Sequence, residues 1–249
     1  MRSSATNFGD GDGRRTETGP GGGTWTLSSK WRGSAVGAAR GVAFVVLFVI
    51  GTTLMFSGPP DDSDDGPAAV ARYFADADHR DRVNYGWILA GLGIFFFLWF
   101  VAALREAVRA RDGGGVLTAV TTIGGTIYAA LASIAIALNA GIRTMSDDTY
   151  QHRVYPALIH AADDAAYLIH ATGGAALAAM LFASSLALLR SWDLPAWLGW
   201  FGIVAAVAAL TTIVFLPTFV WLLWIVVASV VVFLRADRAG DGAVSAART

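Results

Sequence analysis

Six apolar stretches lie between Arg32 and Arg238. Each is about 17–25 residues long, which at a rise of about 1.5 Å per residue matches a hydrocarbon core of about 30 Å. Inside lipid a segment must satisfy its own backbone hydrogen bonds. The expected fold is therefore all-α: an integral membrane bundle of six transmembrane helices with a disordered N-terminal tail. Composition agrees. Hydrophobic residues make up 55% of the 249 and charged residues 15%, against about 25% charged in a soluble domain.

Three units are expected: a cytoplasmic tail over 1–33, a six-helix transmembrane domain over 34–236, and a short cytoplasmic tail over 237–249. The first tail holds eight glycines among Ser, Thr and charged residues, and has too little apolar material to form a core. Arg14 and Arg15 precede the first apolar run by about 25 residues, too far for a signal peptide, so that run is expected to be a retained helix.

The spans read as 36–57, 85–104, 116–142, 165–189, 196–216 and 218–234. The last two share one uncharged run, 194–234, whose 41 residues would form a rod of about 60 Å as one helix. Pro217 is the expected breaker. Orientation follows the basic residues. With the N-terminus inside, 13 of 18 fall on the inner side; Arg72, Arg80, Arg82, Arg143 and Arg153 fall outside. An even number of crossings returns the C-terminus to the cytoplasm. The expected location is the plasma membrane.

Trp192, Trp197 and Trp200 are expected at the inner boundary, and Trp87, Trp221 and Trp224 at the outer one, where an indole finds both ring and polar partners. Trp99 lies deeper and is expected to pack. In the outer loop over 58–84, Pro67 suits the first turn of a short helix through Ala77. Val70, Tyr73, Phe74 and Ala77 share one side of it, which suits a helix lying on the membrane surface. Pro156 is expected to start a helix continuing into span four. Small residues recur at every fourth position in span three (Thr121, Gly125, Ala129, Ser133, Ala137, Gly141) and in span four (Ala171, Ala175, Ala179, Ala183, Ala187). Small side chains let helix backbones approach in lipid, so these spans are expected to cross along those stripes. Gly86, Gly91 and Gly93 also read as packing positions.

The polar cluster that carries chemistry is His160, Asp163, Asp164, Tyr167 and His170, where span four enters from the outer side. Positions 160, 163, 167 and 170 share a helix face and 164 lies beside it. Imidazole and carboxylate at this spacing suit an interfacial hydrogen-bond network, proton or substrate handling, or a divalent metal held by His160, Asp164 and His170. Asn139 and Arg143 share a face at the outer end of span three. There Arg143 either pairs with Asp163 or Asp164 or extends to the headgroups.

With no cysteine, disulfides, thiol chemistry and cysteine metal sites are excluded. A net charge of −1 gives no sign of nucleic-acid binding. No Gly-x-Ser-x-Gly elbow, phosphate loop or dinucleotide fingerprint is present. A b-type haem needs axial ligands at depth, and only His170 qualifies. No cofactor is expected. The bilayer is the expected surrounding, with a second copy or another membrane protein as partner.

The run Phe95 to Arg109 (FFFLWFVAALREAVR) and the acidic segment from His160 to His170 resemble the six-span actinobacterial proteins grouped with the DUF4386-type membrane families. The likeness covers roughly residues 35–235 and implies an integral membrane protein. It supplies no ligand or catalytic residue. The expected role is non-enzymatic, either structural, regulatory or accessory. The alternative is a small transporter or permease-like protein handling protons or a metal at the outer face of span four.

Overall fold

A computed structural model describes residues 30–58, 67–144, 156–190, 195–211 and 218–231. All regular structure among them is helical: α1 (Lys30–Phe56), α2 (Pro67–Ala75), α3 (Ala77–Asp112), α4 (Val116–Arg143), α5 (Pro156–Leu189), α6 (Ala196–Leu210) and α7 (Thr218–Val231). Four of these, α1, α3, α4 and α5, are long and apolar enough to cross a membrane. The 15 residues of α6 give about 22 Å of helix, so α6 and α7 as described are shorter than a full crossing. Pro217, residues 1–29 of the tail expected to be disordered, and the C-terminal tail lie outside the described residues. α1 starts at Lys30, inside the segment read as tail.

The chain folds as successive antiparallel hairpins. α3 begins at Asp76, whose carboxylate accepts from the Asp78 amide at 2.9 Å. It ends where Gly113 adopts φ +63° and its N–H returns to the Arg109 carbonyl, the left-handed cap that glycine takes without strain. The three-residue turn to α4 is tied by Asp112, which accepts from the Thr118 amide at 3.1 Å. α1 packs on α3, α3 on α4, α4 on α5 and α5 on α6. A Cβ on Gly41 would meet Ser229, so α7 lies beside α1 and runs against it.

Backbones touch where glycine allows it. A Cβ on Gly51 of α1 would stand 2.5 Å from the Ala90 nitrogen and 2.6 Å from the Gly86 oxygen of α3. A Cβ on Gly124 of α4 would stand 2.5 Å from the Ala176 oxygen of α5. The close crossing of spans three and four is present and buries part of the four-residue stripes, Thr121, Gly125 and Ala129 on α4 and Ala183 and Ala187 on α5. On α4 the buried seam is Thr121, Gly125, Tyr128, Ala132, Ala135 and Asn139, with Gly124 beside it. Ser133, Ala137 and Gly141 are exposed, as are Ala175 and Ala179 on α5. The reason is angular. Four residues turn a helix through about 400°, so a strict four-residue stripe drifts by about 40° per step and winds off any straight contact. Alternating steps of four and three keep the seam in place. Gly86, Ala90 and Gly93 on α3 follow the same alternation and are buried, while Gly91 opens into free space.

The tryptophans divide. Trp87 is exposed and its indole donates to Asn84, and Trp197 and Trp200 are exposed. Trp221 and Trp224 face neighbouring helices instead: both are 0% exposed, and Trp224 donates to the Leu198 carbonyl at 3.2 Å. Trp99, expected to pack, is 47% exposed and lies under the Arg40 guanidinium at 5.0 Å. Neighbouring helices rather than ring polarity decide the first pair. In Trp99 the indole gives the aliphatic and charged parts of Arg40 a surface on which to extend.

Candidate functional site

The polar residues gather at the end of the bundle that carries α2. This loop helix is held at its base by α3. The His79 ring stacks on Tyr73 at 3.7 Å and its Nδ1 donates to the Tyr73 carbonyl at 2.9 Å. Arg80 donates to the carbonyls of Phe74 and Ala75, placing a cation where the last carbonyls of α2 carry partial negative charge. Gly58, at φ +108°, turns the chain after α1 close to the Tyr73 ring.

Val70 and Phe74 turn toward the other helices. Both are buried in a second apolar cluster with Met55, Val83, Ala140 and Ile159. α2 therefore caps the bundle end. Burying two large apolar side chains among four helices removes more of their area from water than resting them on an interface. Ala77 begins α3 instead of ending α2 and is exposed.

Beneath this cap Arg143, Asn139 and Asp163 converge. Arg143 Nη2 donates to Asp163 Oδ2 at 2.6 Å and Asn139 Nδ2 donates to Asp163 Oδ1 at 2.5 Å. The Arg143 side chain is 5% exposed, against 32% for Asp163. The guanidinium carbon lies 5.3 Å from the ring centres of both Phe56 and Phe74. Ring faces carry negative charge density, so the cation is compensated by two aromatic surfaces as well as by the carboxylate. Of the two alternatives open for Arg143, the ion pair is adopted and the partner is Asp163. Asn139 Oδ1 and Arg143 Nε are buried without a hydrogen-bond partner within the protein.

The remaining candidates are separated by the phase of α5. Measured from the buried Ala166, His170 lies about 40° round the helix and Asp163 about 60°, then Tyr167 at about 100°, His160 at about 120° and Asp164 at about 160°. Burial follows this order at its ends. His170 and Asp163 are partly buried, Tyr167 and Asp164 are exposed, and His160 is half-buried. The shared face recognised in the sequence is thus the edge of the packed arc, and its members point into different surroundings. His170 turns to the core, 6.3 Å from the Phe48 ring and 5.9 Å from the Tyr128 ring. His160, Asp164 and His170 are not brought round one point. Among the described residues no three His, Asp or Glu side chains are placed to hold a metal ion.

Sequence reasoning named Arg143, Asn139 and Asp163 but missed Phe56 and Phe74 as partners of the cation. The available signal was the coincidence of an arginine at a helix end with an apolar loop helix facing it. No family model matches the chain, and neither a curated protein nor a solved structure matches it.

Proposed function

We propose that the chain is a six-span integral protein of the plasma membrane with both termini in the cytoplasm. In this reading it is a non-enzymatic structural or regulatory protein that presents its α2-capped end outside the cell, and it belongs with the DUF4386-type proteins it resembles. Four membrane-length helices and two shorter apolar ones support the embedding. The balance of 13 basic residues against five supports the orientation.

One observation carries the functional part. The groups best suited to chemistry are used to hold helices together: Asp163 takes hydrogen bonds from Arg143 and Asn139, and Phe56 and Phe74 cover the cation. A catalytic or transport site needs such groups turned toward a substrate. The alternative, a small transporter handling protons or a metal ion, draws support from the unpartnered buried polar atoms of Thr121, Tyr128 and Asn139 along one seam of α4. Reconstitution in sealed vesicles separates the two. The proposal expects proton and divalent-metal fluxes equal to those of empty vesicles. A flux abolished by Asp163→Asn establishes the transporter instead. Reporter fusions at residue 1, within 145–155 and at residue 249 test the topology, and fusions placing the two ends on opposite faces overturn it.

A further inference from the structure

Five helices meet midway along the bundle in a cluster of six rings: Phe44 and Phe48 from α1, Phe97 from α3, Tyr128 from α4, His170 from α5 and Trp221 from α7. Four of them close a circuit. His170 to Tyr128 is 5.9 Å, Tyr128 to Trp221 5.8 Å, Trp221 to Phe48 6.4 Å and Phe48 to His170 6.3 Å between ring centres. Rings alone make an apolar core, but this circuit carries two donors. Tyr128 is 1% exposed and Trp221 0%, and neither the Tyr128 hydroxyl nor the Trp221 Nε1 has a hydrogen-bond partner among the described residues. Two orphaned donors on adjacent rings are unusual, because buried polar groups are nearly always paired. Elsewhere in this bundle buried serines follow the rule: Ser184, Ser185 and Ser229 bond back to carbonyls of their own helices.

We propose that this circuit binds a hydroxyl oxygen. Such an oxygen accepts the Tyr128 O–H and the Trp221 N–H through its two lone pairs. Its own proton is donated to an imidazole nitrogen of His170. Three hydrogen bonds are the usual complement of a buried water. Two sources share this chemistry: an internal water, and the hydroxyl of a lipophilic alcohol. The site lies apart from the Arg143–Asp163 pair and does not depend on the functional reading above.

The test compares two hydroxyl deletions in the full chain in detergent. Thr121→Val removes a buried hydroxyl that also lacks a partner but belongs to none of these rings, so it sets the effect of deleting an unengaged group. Tyr128→Phe removes the hydroxyl of the circuit. The site predicts that Tyr128→Phe melts about 2–4 °C below the parent while Thr121→Val melts at or above it. It also predicts that the indole N–H signal of Trp221 moves in Tyr128→Phe protein labelled with 15N-tryptophan. Trp221→Phe identifies that signal by its loss. If Trp221→Phe does not fold, the melting comparison decides alone. A Tyr128→Phe protein as stable as Thr121→Val overturns the proposal, and so does an unmoved Trp221 signal. Solvent extraction then assigns the source. A stoichiometric alcohol present in the parent and lost in Tyr128→Phe is the lipophile, and its absence from both leaves water.

Discussion

Replacing either partner of the Arg143–Asp163 pair should have unequal effects, and the inequality follows from burial. Asp163→Asn keeps shape and an acceptor but leaves the guanidinium, 5% exposed, without a counter-charge. Removing one partner of a buried pair costs about 3–5 kcal/mol, because the remaining charge cannot regain its hydration. Arg143→Met leaves the Asp163 carboxylate instead. With 32% of that side chain exposed, water reaches it, and the cost falls to about 1–2 kcal/mol. Methionine also keeps contact with the rings of Phe56 and Phe74. For a chain of this size each 1 kcal/mol moves the melting temperature by about 2–4 °C. Asp163→Asn is therefore expected to lower it by at least about 6 °C, and Arg143→Met by less. The double variant should be destabilised by less than the sum of the two single changes, with a coupling of about 2 kcal/mol in the thermodynamic cycle. The assay is thermal unfolding in detergent, followed by intrinsic fluorescence. If Arg143→Met is the more damaging single change, or the coupling is below about 0.5 kcal/mol, the pair does not act as a buried ion pair.

Other outcomes follow from the packing. Gly124→Leu, whose Cβ has no room against the Ala176 carbonyl, should prevent stable folding, while Gly141→Leu, opening into free space, should melt with the parent. Equal behaviour of the two in the same melting assay would return the contact to the four-residue stripe. Phe74→Ala should loosen α2 from the bundle end, which buried area puts at about 3–5 kcal/mol. Faster tryptic cleavage at Arg72 in intact protein reads this, and an unchanged rate counts against the cap. Metal content of purified His160→Ala and Asp164→Ala should equal that of the parent, and a fall in either would restore the metal reading of this face.

The long helices were legible because span length and apolar composition are properties of a segment alone. The start of α5 at Pro156 was legible for the same reason, and an ion pair of Arg143 with Asp163 or Asp164 was legible as one of two alternatives, since each rests on a local rule or on two faces already placed. What failed involved a partner. The small-residue stripes were read by spacing, but a contact is kept by its phase over many turns, and four-residue steps lose phase. Trp221 and Trp224 were assigned to a boundary by the chemistry of indole, yet α7 lies against α1 and α6, and their side chains face neighbours. The His160–His170 group was seen as one face, whereas an 80° to 120° arc at the edge of a packed surface divides into buried and exposed members.

The 36 residues of α3 form a rod of about 54 Å, roughly 24 Å longer than the hydrocarbon core. One tip carries the Tyr73–His79 joint to the loop helix, and the other carries Arg105, Arg109 and Arg111. α1 grips α3 from Gly86 through Ala90 and Gly93 to Phe97 and Phe100. On a rod of this length a tilt of about 5° about its centre displaces each tip by about 2 Å in opposite directions. Side chains packed at native density register a shift of that size, so a tilt of α3 would change the packing at both of its ends.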